Sequence, residues 1–252
     1  MEKTALVTGG SRGIGRAIAR KLAADGALVA VHYGSNKSAA DATVADIQQA
    51  GGQAFALQAQ FGTDNAIETL FSTLEAGLRD RTAKTHLDIL VNNASIIGPG
   101  PIEEVTPEAF DHVFAINART PFFIIQRALP LMGEGGRIIN ISSPVTRTAP
   151  PEVTYAMSKA ALDTMSRTLA QALGPRGITV NTVLPGLTET DMMSHLRDDP
   201  EARARAAAAS ALGRVGQPAD VADAVALLVS TDARWITGHA LDATGGLHLR
   251  PS

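Results

Sequence analysis

The stretch TALVTGGSRGIGRAIA, residues 4–19, runs from a short apolar segment through a glycine-rich loop into a helical pattern. Gly9, Gly13 and Gly15 carry the spacing G-x-x-x-G-x-G. It differs from the G-x-G-x-x-G dinucleotide fingerprint, but the same physics applies. Residues without Cβ permit a tight turn and close backbone approach, and a helix N-terminus offers N–H groups to a pyrophosphate. A glycine-rich turn without a ligand would use similar letters. A position after the first strand and before a helix favours the binding reading. The loop contributes Gly9, Ser11, Arg12, Gly13, Ile14 and Gly15 as candidate cofactor contacts.

The pattern repeats outward from that loop. Strand candidates fall at 4–9, 27–33, 53–59, 87–93, 136–142, 177–184 and 239–245. Most are continuously apolar, as in parallel strands covered on both faces. Helical patterns lie between them, near 13–25, 37–50, 64–80, 107–131, 154–173 and 218–230, with a short alanine-rich helix at 201–210. This alternation predicts an α/β fold: a doubly wound parallel sheet of about seven strands with helices on both faces. With no linker and no internal repeat, one domain is expected over 1–252, with a substrate-loop region near 186–212.

Composition narrows the function classes. The chain has 252 residues, 45% of them hydrophobic and only 4% aromatic, so aliphatic side chains must build the core. The net charge of −3 and the scattered basic residues disfavour nucleic acid and anionic membranes as partners. There is no cysteine, hence no disulfide, thiolate metal site or cysteine nucleophile. The six histidines never stand at i, i+4 spacing, so no metal-binding pair is visible. The first residues lack the pattern of a signal peptide, and no apolar run approaches the roughly 18 residues of a membrane span. A cytoplasmic protein is expected.

The second strand indicates which dinucleotide fits. NAD sites usually place an acidic residue on the ribose 2′-OH at that strand end. Here VHYGSNKSAA has no carboxylate from Val31 to Ala40; Tyr33, Ser35, Asn36 and Lys37 are available instead, and Arg12 lies in the glycine loop. Cations and hydroxyls suit a 2′-phosphate, so NADP(H) is predicted over NAD(H).

Further motifs coincide: TGGSRGIG at 8–15, NNAS at 92–95, Asn117, ISS at 141–143, YAMSK at 155–159, PG at 185–186 and DATGG at 242–246. In order and spacing the chain resembles the short-chain dehydrogenase/reductase family along essentially its whole length. That resemblance implies a Rossmann-type fold, an NADPH-dependent carbonyl reductase and a catalytic set of Asn117, Ser143, Tyr155 and Lys159. Tyr155 would be the general acid for reduction, Ser143 would hold the substrate oxygen, and Asn117 would hold a relay water. Lys159 would bind the nicotinamide ribose and lower the tyrosine pKa. Gln60, Phe61, Asn93, Ala94, Ser95, Pro185, Gly186 and Thr188 would complete the cofactor site. A homotetramer is implied as well.

The chemistry is consistent with these roles. Reduction of a carbonyl builds an alkoxide, which needs a proton donor and a hydrogen bond. Tuning a phenol from about 10 toward 7 takes roughly 4 kcal/mol. One cation about 4–5 Å away, at an effective dielectric near 20, supplies about that much.

Four departures from the family stand out. Ser95 occupies a position that is usually glycine, Gln60 one that is usually Asp, and Thr188 one that is usually aliphatic. The path from Ser143 to Tyr155 is one residue shorter than usual, so Ser142 competes with Ser143 for the serine role.

The expected pocket uses 95–101, 144–153 and the segment after Gly186, with Ile96, Ile97, Val145, Pro150, Pro151, Leu187, Met192, Met193 and Leu196. An apolar ketone suits these residues, with Arg147 and His195 available to an anionic group. The same residues could equally pack a lid against the body. A 3-oxoacyl-[acyl-carrier-protein] reductase is the alternative, with Arg176 as its basic contact, although Glu134 would oppose an acidic carrier protein. A non-catalytic NADP-binding regulator is the alternative of another class.

Overall fold

The computed structural model describes residues 3–148, 150–193, 199–247 and 249. Seven parallel strands form one sheet in the order β3-β2-β1-β4-β5-β6-β7. The strands are β1 (Thr4–Val7), β2 (Leu28–Tyr33), β3 (Gln53–Gln58), β4 (Ile89–Asn92), β5 (Arg137–Ile141), β6 (Thr179–Pro185) and β7 (Ala240–Ala243). Every residue of β1, β2, β4 and β6 is buried, including the polar His32, Asn92, Asn181 and Thr182 among their apolar neighbours.

Alternate side chains feed two cores. Leu6, Ala30, Leu90, Ile138 and Val180 point to one face, beside Leu70, Leu74, Ile124 and Ile125. Val7, Val29, Val31, Val91, Ile139 and Val183 point to the other, beside Ile18, Leu22, Val221, Val225 and Leu228. A buried aliphatic side chain contributes roughly 1.5–3 kcal/mol, so these two layers carry the fold despite the scarcity of aromatics.

The first face is covered by α3 (Ala66–Thr82), α4 (Pro107–Phe114), α5 (Thr120–Ala128) and α6 (Val153–Leu173). The second is covered by α1 (Gly13–Ala24), α2 (Lys37–Gln49) and α8 (Pro218–Val229), with α1 packed along α8. A further helix, α7 (Pro200–Ala209), matches the alanine-rich segment.

Two expectations change. The helical pattern at 107–131 is interrupted by a π turn at Ala115–Arg119, which separates α4 from α5 and carries Asn117. The predicted strand 239–245 ends at Ala243, because Gly245 and Gly246 adopt φ of 67° and 78°, outside extended backbone. No helix among the described residues is long and apolar enough to cross a membrane.

Strand order reverses between β1 and β4, the neighbours on either side of the glycine loop. The crevice outside the strand ends at such a switch point is where open α/β sheets bind ligands.

Candidate active site

The loops leaving β1 and β4 are tied together by polar groups. Thr8 Oγ1 accepts from the N–H groups of Asn93 (2.9 Å) and Ala94 (3.1 Å). Asn93 Nδ2 donates back to the carbonyls of Thr8 (2.9 Å) and Gly9 (3.1 Å). A Cβ on Gly15 would lie 2.1 Å from Gly9 O and 2.5 Å from Asn93 Nδ2, so only glycine fits there. α1 starts at Gly13, and its N-cap residue Arg12 makes no side-chain cap. The first-turn amides therefore remain open to an anion. Between α1 and residues 189–191 lies a cavity of ≈ 430 Å³, lined by Gly13, Arg16, Glu189, Thr190 and Pro218 among others.

At the far end of β2, Tyr33 is buried while Ser35, Asn36 and Lys37 are exposed. Asn36 caps α2 through Ala39 N–H at 3.0 Å. Lys37 Nζ meets Asp41 at 2.6 Å, a carboxylate one residue beyond the stretch that shows none. Both partners are more than half exposed (71% and 52%), so solvent screening leaves this pair only a weak hold on Lys37. Gln60 lies over Gly34, its Oε1 3.2 Å from where a Cβ would stand. The buried Phe61 ring stacks on His32 at 4.2 Å.

The catalytic candidates converge from three elements. The π turn aims Asn117 at the loop after β4. Its Oδ1 accepts from Ile96 N–H (2.9 Å), and its Nδ2 donates to Ile96 O (2.8 Å) and Ser158 Oγ (3.1 Å). With both ends of the amide engaged, the side chain positions residues 95–97, and any relay water must meet other atoms of the turn. π turns of this kind concentrate at functional sites.

Ser143 and Ser95 hydroxyls both act on the Tyr155 phenol and favour its ionised form. Burial outweighs them and raises the tyrosine pKa above its ordinary value of 10. The sequence argument expected the opposite direction, with Lys159 as the cause. In the structure Lys159 Nζ stands 5.6 Å from the centre of the tyrosine ring and donates to Ile141 O at 2.8 Å. Burial brings the lysine's own pKa down to about 8, against the opposing charge of Asp163. The phenol is thus held protonated, the form a proton donor needs.

The two serines separate cleanly. Ser142 Oγ turns away from the phenol, toward the Lys159 carbonyl (3.4 Å). Ser143 Oγ, which accepts weakly from Val145 N–H (3.4 Å), is the one on Tyr155. The shortened loop is absorbed by a 3-10 turn at Pro144–Arg147.

Beyond β6, Pro185 closes the strand against Ala243. A Cβ on Gly186 would lie 2.7 Å from Thr244 Cα, so glycine is required for the C-terminal segment to pack there. Thr188 is buried and donates to Gly186 O at 2.8 Å.

The pocket expectations are met unevenly. Ile96, Val145 and Pro150 are half-buried, and Ile97 and Pro151 exposed, at the mouth. Leu187 and Met193 instead pack on Ala206 and Val215, as a lid resting on its own small core. Arg147 is ion-paired with Asp242 at 3.4 Å. Met192 lies on the turn Asp191–Met193, and His195 and Leu196 lie outside the described residues.

Two residues escaped the sequence reading, His32 and Asp163. His32 sits inside a fully buried strand, while Asn93, expected as a cofactor contact, also braces the loop. Asp163 is buried on α6 with an Oδ1 that has no hydrogen-bond partner. Lys159 and Asp163 share i, i+4 spacing, a signal that was legible in the chain.

Comparison with known proteins agrees with this geometry. Residues 9–248 match the family model described as Enoyl-(Acyl carrier protein) reductase. The crystal structure of angucycline C-6 ketoreductase LanV with bound NADP is 53% identical, with a TM-score of 0.94 over 98% of this chain and 96% of that one. The reductase LugOII, which catalyses keto-reduction at C1 during lugdunomycin biosynthesis, is 52% identical, with a TM-score of 0.94 over 97% of each chain. Versicolorin reductase stcU of Emericella nidulans is 40% identical over 97% of this chain and 95% of its own.

Proposed function

The chain belongs to the short-chain dehydrogenase/reductase family and reduces a carbonyl compound to an alcohol with NADPH; from that premise we propose that Tyr155 donates the proton to a ketone on an apolar, polycyclic aromatic substrate. The observation that carries the catalytic part is the Tyr155 phenol beside the Ser143 hydroxyl, with the buried Lys159 5.6 Å from the ring centre; burial raises the phenol's pKa and keeps it a proton donor. The polycyclic part is supported by the substrates named for LanV and the versicolorin reductase, and by the apolar residues at the mouth.

The residues present fit NADPH. The open first turn of α1, the cradle that a Cβ at Gly15 would fill, and the cations Arg12 and Lys37 suit its phosphates. Gly9, Ser11–Gly15, Tyr33, Ser35–Lys37, Gln60, Phe61, Asn93–Ser95, Tyr155, Lys159, Pro185, Gly186 and Thr188 would hold it, and it would supply the hydride. Ser143 then holds the substrate oxygen, and Tyr155 releases its proton to that oxygen as negative charge develops. Lys159, 5.6 Å from the ring centre, stabilises the phenolate that remains. Asn117 keeps Ser95 and Ile96 in register beside the phenol.

A relative named 3-oxoacyl-[acyl-carrier-protein] reductase FabG, from Staphylococcus aureus and 36% identical over 99% of each chain, favours a second reading, reduction of a 3-oxoacyl carrier-protein thioester. Against it, Arg176 is committed inside the protein, donating to Leu129 O (3.0 Å) and to Met132 O, while Glu134 is exposed. NADPH oxidation measured with polycyclic ketones, simple ketones and 3-oxoacyl thioesters separates the readings. Preference for the polycyclic ketones is expected; preference for the thioesters would reverse the assignment. Binding of NADPH without turnover of any of them would favour the regulator.

A cytoplasmic homotetramer completes the proposal. Trp235 (96% exposed), Leu227 and Ile236 are exposed apolar side chains on α8 and the segment leading into the half-exposed edge strand β7, and such residues suit a second copy. Light scattering at a monomer mass would contradict it.

A further inference from the structure

His32 is buried in β2 (2% exposed), yet its ring is engaged at every edge. Nδ1 accepts from Gly9 N–H at 3.0 Å, so the hydrogen of the neutral ring belongs on Nε2. Nε2–H then donates to Ala59 O at 2.9 Å, and one ring face stacks on Phe61 at 4.2 Å. The backbone of the same residue takes the next amide, Gly10 N–H donating to His32 O at 2.8 Å. Burial lowers the ring's pKa to about 4. That agrees with the geometry, since a charged imidazole could not accept from Gly9.

Two consequences follow for the loop. The N–H groups of Gly9 and Gly10 are both committed to His32, so an anion must be met by amides further on, from the first turn of α1. The imidazole also fixes the distance between the glycine loop and the end of β3, where Ala59 leads into Gln60 and Phe61. These two segments border the adenosine end of the site proposed above, and no other side chain among the described hydrogen bonds joins them.

We propose that His32 is a positioning residue for the dinucleotide: its neutral imidazole holds Gly9 against the Ala59–Phe61 segment and thereby sets affinity for the adenosine half of NADPH, with no part in the chemistry. The proposal rests on the reading of the glycine loop as the NADPH site.

The test compares wild type with His32→Leu, which loses both ring bonds, and His32→Asn, whose Oδ1 can still accept from Gly9. NADPH affinity is measured by calorimetry, and kcat separately at saturating NADPH. His32→Leu is expected to raise Kd about tenfold or more, the scale of a buried hydrogen bond lost, with kcat within about twofold. His32→Asn is expected to recover a large part of that affinity. An unchanged Kd in His32→Leu, or a fall in kcat at unchanged Kd, would overturn the proposal. Wild type that fails to bind NADPH would instead defeat the reading of the loop itself. Should His32→Leu not fold, ¹⁵N spectra of the wild-type imidazole decide: the Nε2–H tautomer, with Nδ1 shifting on addition of NADPH, is expected. The other tautomer, or no shift, would overturn the proposal.

Discussion

The two ends of the strand crevice are built on opposite principles. At the glycine-loop end, Thr8, His32 and Asn93 direct their polar atoms into the protein and lock one loop to the next. At the catalytic end, ionisable groups are buried away from water. Burial brings the Lys159 pKa down to about 8, Asp163 Oδ1 one helical turn away has no partner, and the Tyr155 phenol is kept protonated. An unpartnered buried polar atom costs about 1–3 kcal/mol. The contrast teaches that binding here is a matter of shape fixed in advance, whereas chemistry depends on groups left with something to do.

Substituting Lys159 should break the contrast most visibly. Lys159→Met is expected to lower kcat/KM by about a thousandfold, within the range seen for loss of a key charged group. The pH dependence of stability should change as well. With the lysine's pKa at about 8, below its ordinary 10.5, the folded protein disfavours the charged form, and this penalty is full below pH 8. It fades as pH rises from 8 toward 10.5, so wild type should gain stability over that window and the variant should lack the gain. A variant whose Tm follows the wild-type pH dependence there would contradict the account.

The serines sharpen the comparison next. Ser143→Ala should cost about a hundredfold in kcat, the scale of one lost donor at a developing oxyanion, while Ser142→Ala stays within about threefold. The reverse pattern would move the oxygen-binding role to Ser142.

A pH profile tests the same cation without a large loss of activity. In kcat/KM for ketone reduction, Lys159 should produce a decline as pH rises through about 8, where its charge is lost. Lys159→Arg should move that limb upward, whatever its absolute rate. An unshifted limb would assign the decline to another group.

The smallest effect is expected at the braced end. Asn93→Ala removes two donations at the glycine loop and should weaken NADPH binding by about tenfold with kcat nearly unchanged. A loss confined to kcat would blur the division between the two ends.

How legible this was in the chain depended on range. Gly15, the continuous apolar strands and the Tyr155–Lys159 spacing are local patterns, and local geometry made them readable. The π turn at Asn117 was not readable, because its letters are those of a regular helix and only the pull of Ile96 and Ser158 is distinctive. His32 looked like one more strand residue until β1 and β3 flanked it. The direction of the Tyr155 shift was misjudged because a Coulomb argument counted the lysine and left out burial. Leu187, Met193, Arg147 and Arg176 could be assigned to packing or ion pairs only once their distant partners were placed beside them.

The central claim is that the phenol of Tyr155, and nothing else at the site, delivers the proton. It is tested most directly by NADPH oxidation with a polycyclic ketone, comparing wild type and Tyr155→Phe, with the NADPH Kd of both measured in parallel. The account predicts a loss of about a thousandfold or more in kcat at a Kd within twofold. Turnover by Tyr155→Phe within a few-fold of wild type, at equal Kd, would contradict it.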